Sequence, residues 1–345
     1  MSVGLRAVQW NRQKLVYDAI LLVCTALYIA GYVLIGYSTQ PPEKLPDAID
    51  LWLRATGSCA FFMLTVILCI GPLARLDRRF LALLYNRRHF GVLTFLVALV
   101  HFALMLDWYV AQDALPNLAA ELTKWPDYAK FIDFPFKALG LAALLILFLL
   151  AATSHDFWLL VLTPRVWKFI HMGVYVAYAL VVMHVALGHM QDERSPLVPL
   201  MLGGGLGIVA ALHLIAGWRE RKLDRSSAPA DSWLTVGPPV SIPDKTARIV
   251  AAKGGERIAV FRDGNRIGAV TNLCAHQNGP LGEGRIIDGC ITCPWHGYQY
   301  HLADGCAPPP FSEKLVTFRV RLEHGLIEVD PRPLPPGTPA AIVVP

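Results

Sequence analysis

The stretch from Cys274 to Tyr300 reads CAHQNGPLGEGRIIDGCITCPWHGYQY and contains two pairs of metal-ligating residue types. Cys274 and His276 form the first pair, Cys293 and His296 form the second, and turn-forming Gly or Pro follows each pair. Thiolates and imidazoles both suit iron, so a two-plus-two set can divide between the irons of a [2Fe-2S] cluster. Two Cys and two His also satisfy tetrahedral zinc.

The order of the ligands favours the cluster over zinc, and the pattern resembles a Rieske iron-sulfur domain. Zinc fingers usually pair Cys with Cys and His with His, whereas each pair here mixes the two types. The resemblance implies that Cys274 and Cys293 hold the inner iron. It also implies that His276 and His296 hold the outer iron, with imidazole edges that face solvent and pass electrons.

Two departures from the high-potential members of that family predict a cluster of low potential. Those members carry an extra disulfide between the ligand loops, and Gly279 and Trp295 occupy its positions here. Their serine hydroxyl, which donates to a cluster sulfur, is replaced by Tyr298, although Tyr300 stands where they have a tyrosine. Hydrogen bonds to the sulfurs raise the potential, so the loss of one lowers it. Tyr300 is the predicted tuning residue.

The composition predicts a membrane protein around this stretch. The 345 residues are 54% hydrophobic and only 17% charged, with a mean hydropathy of +0.44. Such a balance indicates several membrane spans. The seven cysteines are an odd number and do not form a disulfide framework, so Cys290 and Cys306 are expected to be buried thiols.

Six apolar stretches approach the roughly 20 residues that cross a bilayer. The predicted spans are Leu15 to Tyr37, Ala55 to Ala74, Phe90 to Val110, Ala138 to Thr153, Phe169 to Gly188 and Leu197 to Trp218. The fourth is short unless it extends to Phe134.

Positive charges predict the orientation of these spans. With the N-terminus inside, the inner side carries fourteen basic residues: Arg6, Arg12, Lys14, Arg75, Arg78, Arg79, Arg87, Arg88, Arg165, Lys168, Arg219, Arg221, Lys222 and Arg225. The outer side carries six: Lys44, Arg54, Lys124, Lys130, Lys137 and Arg194. This bias predicts a multi-pass protein of the inner membrane with both termini in the cytoplasm.

Histidines inside the spans are costly unless they are used. The third and fifth predicted helices run the same way, and His89 to His101 spans about 18 Å while His171 to His184 spans about 20 Å. This predicts two levels, with His101 and His184 toward the outer half and His89 and His171 at the inner surface. Imidazoles that face each other across a bundle suit axial ligation of haem iron. His89 and His101 do not share one face of a straight helix, and neither do His171 and His184. A kink, a π-bulge or a splayed ring is therefore needed for both histidines of one helix to face into the bundle.

Local motifs around these histidines resemble the ferric-reductase-like transmembrane family. The motifs are RRHFG at residues 87–91 with His101 ten residues later, and WKFIH at residues 167–171 with Tyr175 before His184. The resemblance implies that His101 and His184 ligate one b-type haem and that His171 belongs to a second. His89 is either the second ligand there or an interfacial basic residue.

The C-terminal part predicts a small all-β domain. Alternating segments occur at Ile249 to Ala251, Arg257 to Arg262, Arg266 to Asn272, Leu315 to Leu322 and Leu326 to Val329, with a turn at residues 263–265. The predicted domains are a six-helix transmembrane domain at 1–222, a linker at 223–232, a Rieske domain at 233–332 and a proline-rich tail at 333–345, which is either a strap or a loose end.

These features together predict an oxidoreductase that passes single electrons between a cytoplasmic Rieske cluster and one or two membrane haems. In flavin-dependent ferric reductases a flavin and nicotinamide domain stands where this chain has its β-domain. The expected partners are membrane lipid, a cytoplasmic donor or acceptor protein, and a quinone or outer-side acceptor, with no nucleic acid. The direction of electron flow is open.

Two other classes of protein could contain a Rieske domain, and each differs from this prediction in the metal centres that it needs. One is a membrane-anchored ferredoxin that serves a soluble oxygenase or reductase, in which the helices hold no haem. The other is a Rieske oxygenase, which needs a further iron held by two His and a carboxylate. The chain after His296 offers only His301 and His324, which is too little for such a domain.

Overall fold

A computed structural model describes residues 12–39, 48–84, 86–123, 136–154, 158, 162, 164–188, 196–225, 232–251, 256–276, 279–294, 297–309 and 311–345. Within these residues the α-helices are α1 Arg12–Thr39, α2 Ala48–Leu76, α3 Leu81–Leu84, α4 Arg87–Ala111, α5 Leu115–Thr123, α6 Phe136–Ala152, α7 Pro164–Leu187 and α8 Leu197–Arg225.

Five of these helices, α1, α2, α4, α7 and α8, are long and apolar enough to cross a membrane. They confirm five of the six predicted spans. Helix α6 occupies the fourth predicted span and has 17 residues, and residues 124–135 before it lie outside the described part of the chain. The short helix α5 has no counterpart in the sequence prediction.

The outer faces of the long helices carry large apolar side chains. Leu27 and Leu34 of α1 are each 67% exposed, and Phe169 of α7 is 81% exposed. An apolar surface of this extent would be unfavourable in water and is expected in hydrocarbon. The helical region is therefore that of a multi-pass membrane protein.

The C-terminal region is all-β. Its strands are β1 Leu234–Gly237, β2 Ala247–Ala251, β3 Arg257–Asp263, β4 Arg266–Thr271, β5 Arg285–Ile287, β6 Cys290–Thr292, β7 Gln299–His301, β8 Thr317–Glu323, β9 Leu326–Leu334 and β10 Ile342–Val343. A seven-stranded antiparallel sheet has the order β1-β9-β8-β4-β3-β2, with β10 paired to β4, and a smaller sheet has the order β5-β6-β7.

Strand alternation gives the large sheet a core on each face. Ala259 and Phe261 of β3 belong to the core that contains Cys274 and Cys293, whereas Ile258 and Val260 belong to the opposite core. Because successive side chains of a strand point to opposite faces, the buried middle of β3 from Ile258 to Phe261 is apolar on both sides.

The predicted strands are confirmed with shifts of a few residues, and the predicted turn joins β3 to β4. The sequence prediction missed β1 and the small sheet, whose strands β5 to β7 have only three residues each. The proline-rich tail contains β10, so it is held against β4 as a strap.

The described residues form two compact units. One unit contains Arg12–Cys69 and Arg87–Ala211. The other contains Ile70–Asn86 and Leu212–Pro345, so the β-domain groups with the C-terminal ends of α2 and α8.

An ion-pair network lies inside the second of these units. Arg75 Nε is 3.1 Å from Glu283 Oε1 and 3.4 Å from Glu220 Oε1. Arg257 Nη1 is 3.2 Å from Glu220 Oε2. Each of these partly exposed pairs contributes little stability alone, but together they connect the end of α2, the end of α8 and the turn that follows the Cys274 loop.

Candidate metal centres

The loop after β4 holds the first predicted ligand pair. Cys274 N donates to Gly279 O at 2.9 Å, and Gly282 N donates to Asn272 Oδ1 at 2.6 Å. These bonds close the loop, and Cys274 at its base is only 1% exposed. His276 is half-buried near the domain surface.

The loop after β6 holds the second predicted pair. Cys293 N donates to Tyr298 O at 2.8 Å, and Gly297 N donates to Cys293 O at 2.9 Å. Gly297 has φ 71°, a conformation that suits glycine and lets the chain turn back into β7. Cys293 is 1% exposed. Trp295 and His296 lie outside the described residues.

Tyr300 connects the first ligand loop to the small sheet. Its hydroxyl lies 3.3 Å from Cys274 Sγ and accepts a hydrogen bond from His276 N at 3.2 Å. Burial, followed by the neighbouring Cys274 and Cys293, raises the pKa of Tyr300 far above its ordinary value. The phenol therefore stays protonated and can donate to the sulfur of Cys274.

Tyr298 directs its hydroxyl away from the thiols. The hydroxyl donates to the carboxylate of Glu313, and burial together with this carboxylate raises the pKa of Tyr298 well above its ordinary value. The Tyr298 ring stacks on the His276 ring, with centroids 4.5 Å apart and planes 10° apart. Tyr298 therefore orients the imidazole of His276 instead of supplying a hydroxyl near Cys274.

The donor set in this domain fits a cluster whose two irons have two protein ligands each. Two buried thiols lie at the bases of the two loops, and one half-buried imidazole lies beside them. In the part of the chain that the structure describes, no three His, Cys, Asp or Glu side chains converge as a single metal-ion site. A two-plus-two division does not require such a group of three.

The other two cysteines of the domain differ from each other. Cys290 is buried, as predicted, with its Sγ 3.6 Å from His301 Nδ1. Burial, with a smaller contribution from Asp288, raises its pKa, so the neutral thiol is favoured. The prediction that Cys306 is buried is wrong, because it is only half-buried between β7 and the loop before β8.

His101 on α4 and His184 on α7 are held in the same way. His101 Nδ1 is 3.0 Å from Leu53 O of α2, and His184 Nδ1 is 2.7 Å from Phe136 O of α6. A carbonyl oxygen only accepts, so each Nδ1 carries the proton and each Nε2 keeps the lone pair that a metal needs.

A glycine lies against each of these imidazoles. A Cβ at Gly57 would be 3.0 Å from His101 Cε1, and a Cβ at Gly140 would be 2.8 Å from His184 Cε1 and Nδ1. Any larger residue would therefore displace a ring. The two glycines provide the space that lets both imidazoles take their positions, which fits a pair of axial ligands.

His171 and His89 belong to the other predicted level. His171 Nδ1 donates to Trp167 O at 3.0 Å, while its Nε2 lies 3.4 Å from Ser154 Oγ. Arg87 and Arg88, which directly precede His89 in the sequence, bring positive charge toward His171. His89 Nδ1 is 2.7 Å from Asp18 Oδ2 of α1.

The sequence prediction gave no role to Gly57, Gly140, Glu313 or Asp18. Asp18 has a recognisable signal, because it is the one acidic residue in the apolar sequence of α1 and such residues are functional more often than not. The two glycines have no such signal, because their contacts join helices far apart in the sequence.

The structure thus has the features of a membrane metalloprotein, in which apolar helices carry half-buried imidazoles and an all-β domain carries two buried thiols at the bases of neighbouring loops. Comparison with known families identifies both parts. The chain belongs to the Rieske [2Fe-2S] domain family through residues 232–319, and its residues 56–182 match the ferric reductase like transmembrane component. A Rieske domain implies a [2Fe-2S] cluster.

Individual relatives divide in the same way. The anthranilate 1,2-dioxygenase ferredoxin subunit of Burkholderia cepacia is 37% identical over 90 residues, which are 25% of this chain and 80% of that protein. The protein-methionine-sulfoxide reductase heme-binding subunit MsrQ of Bordetella parapertussis is 28% identical over 186 residues, 54% of this chain and 81% of that protein. The same subunit of Caulobacter vibrioides is 29% identical over 224 residues, 63% of this chain and 94% of that protein.

Proposed function

We propose that this protein passes single electrons across a membrane between its Rieske [2Fe-2S] domain and haem held by its helices. When bound, the cluster and a b-type haem each change by one electron, and the protein supplies ligation, spacing and a dry environment. The observation that carries the proposal is the arrangement of His101 and His184, with Nδ1 held by carbonyls and glycines against both rings. The heme-binding subunits among the relatives agree with it.

In the β-domain, Cys274, His276, Cys293 and His296 are the proposed cluster ligands. Tyr300 donates to the Cys274 sulfur, and Tyr298 holds the ring plane of His276. Only one of the two tyrosine hydroxyls lies at a thiol. This supports the expectation of a cluster with a lower potential than that of family members whose ligand sulfurs receive more hydrogen bonds.

In the helical region, His101 and His184 are the proposed axial ligands of one haem. His171 and His89 are the proposed ligands of a second haem, nearer the inner surface. For His171 to ligate through Nε2, its contact with Ser154 has to open, and 3.4 Å is a long and weak contact. Arg87 and Arg88, whose charges act on His171, are suited to pair with the propionates of that haem.

Six spans with both termini in the cytoplasm are the proposed topology, with α6 as the shortest span and domain boundaries at 222, 232 and 332. The Rieske domain would then meet a cytoplasmic donor or acceptor protein, and the outer haem would serve a quinone or an outer-side acceptor. A C-terminal fluorescent protein should be bright and a C-terminal alkaline phosphatase inactive. The reverse result would contradict this topology.

A reduced-minus-oxidised optical spectrum of the purified chain tests the function. We expect a haem signal in the wild type and the loss of about half of it in His101→Ala and in His89→Ala, because each variant removes a ligand of one proposed haem only. His213→Ala on α8 is the matched control, since it removes a membrane histidine without an assigned ligand role. If the wild type contains iron and labile sulfide but no porphyrin, the proposed electron transfer between cluster and haem is refuted. The alternative of a membrane-anchored ferredoxin would then be favoured, and the similarity to a ferredoxin subunit agrees with that alternative.

A further inference from the structure

Asp18 is a carboxylate in a segment that should not contain one. It is the one acidic residue of α1, and its side chain is 17% exposed. A charged group in hydrocarbon costs several kcal/mol unless it has a partner. Its partner is His89 of α4, whose Nδ1 lies 2.7 Å from Asp18 Oδ2.

The Asp18 contact completes a pattern among the four predicted haem histidines. His101, His171 and His184 each present Nδ1 to a main-chain carbonyl, at 3.0, 3.0 and 2.7 Å. His89 alone presents Nδ1 to a carboxylate. In all four, the acceptor on Nδ1 leaves Nε2 as the ring nitrogen available to a metal.

A carboxylate and a carbonyl have different effects on a ligand imidazole. The carboxylate attracts the Nδ1 proton more strongly, which makes Nε2 more basic and a stronger donor to iron. Stronger donation stabilises the oxidised metal and lowers its reduction potential. The inner haem should therefore be harder to reduce than the outer one.

We propose that Asp18 is a positioning residue that fixes the tautomer and ring orientation of His89 and lowers the potential of the inner haem relative to the haem held by His101 and His184. The inference rests on the proposed function, because it requires His89 to be a haem ligand. It adds that the two haems differ in potential and names the side chain that causes the difference. In the competing arrangement, a protonated His89 forms an ion pair with Asp18 that only joins α1 to α4.

Redox titration of the full-length protein separates these two roles. In Asp18→Asn the amide oxygen can still accept from Nδ1 without the charge, so haem content should stay at the wild-type level. At a fixed applied potential, the ratio of reduced to oxidised inner haem should rise about tenfold, the lower end of the effect that such partners have on metal affinity or activity. The outer haem should not change. Asp107→Asn, an exposed carboxylate on the same helix as His89, is the matched control and should change neither haem.

Two further variants keep the test decisive if Asp18→Asn assembles poorly. Asp18→Glu retains a carboxylate and should titrate close to the wild type, whereas Asp18→Ala should lose up to half of the haem. Unchanged titration of both haems in Asp18→Asn, or an equal shift in Asp18→Glu, would overturn the inference. If the wild type binds one haem and His89→Ala still binds it, the inference fails while electron transfer through one haem remains possible. If the wild type binds no haem, the proposed function itself fails.

Discussion

The two candidate metal centres are built in opposite ways. In the β-domain, all four predicted ligands fall within one stretch, Cys274 to Tyr300, and short hydrogen bonds inside each loop hold the cysteines. In the helical region, His101 and His184 are far apart in the sequence, and each depends on a carbonyl and a glycine from another helix. The cluster site is therefore encoded locally, whereas the haem site exists only after the helices have packed.

This difference predicts separable failures. A change in a β-domain ligand should remove the cluster and leave the haem, because no helix contact is lost. A change at a helix contact should weaken haem binding without affecting the cluster.

Loss of a cysteine ligand should have the largest effect. Cys293→Ser should abolish the cluster, because Cys293 is buried at the base of its loop and a hydroxyl is a poor ligand for iron in this type of centre. Iron and labile sulfide assays should fall to background while the haem spectrum stays at the wild-type level. Cys290→Ser is the matched control and should keep the cluster. Concurrent loss of haem would show that the two sites are not separable.

A methyl group beside His184 should weaken the haem site. In Gly140→Ala the new Cβ would lie 2.8 Å from the imidazole, and overpacking of this kind costs about 1–3 kcal/mol, so haem affinity should fall about tenfold or more. Haem-to-protein ratios measure this loss, and the cluster should remain. Gly91→Ala has no heavy atom within 4 Å of its new Cβ and should bind haem normally. An equal loss in both variants would indicate general damage to the bundle.

Removal of the Tyr300 hydroxyl should tune the cluster without destroying it. This hydroxyl lies 3.3 Å from Cys274 Sγ, and one hydrogen bond worth about 1 kcal/mol to the reduced form corresponds to roughly 40 mV. Tyr300→Phe should lower the cluster potential by about this amount in a redox titration followed by electron paramagnetic resonance. Tyr298→Phe, whose hydroxyl contacts Glu313, should shift it less. The opposite ranking would assign the tuning role to Tyr298.

The smallest expected effect concerns pH and the β-domain alone. The hydrogen bonds from Arg332 lower the pKa of Asp330 below its ordinary value, so the charged carboxylate stabilises the fold above pH 4 and this contribution is lost as the pH falls through the folded-state pKa. Asp330→Asn should cost about 1 kcal/mol at pH 7, and the difference from the wild type should close on acidification. Thermal bleaching of the cluster measures it. A difference that stays constant with pH would exclude this ion pair as its cause.

The same contrast explains what could be predicted from the sequence. The strands β2 to β4, β8 and β9 and five of the spans follow from periodicity and apolar length, which are local properties. The three-residue strands β5 to β7 were missed, because such short elements carry no periodicity. The exposure of Cys306 was predicted wrongly, since burial is decided by the strap and loops around it. The contacts of Gly57, Gly140 and Asp18 join distant segments, and no single-sequence pattern reports them.

An electron given to the β-domain should reach the helices. A membrane-impermeant reductant can be added to sealed vesicles that carry the full-length protein with its β-domain outward, and reduction of the haem can be followed by stopped-flow absorbance in the wild type and in Cys293→Ser. Rapid haem reduction in the wild type that slows at least tenfold in Cys293→Ser is the predicted result. Haem reduction at the same rate in both proteins would contradict the claim that electrons pass between the cluster and the haem.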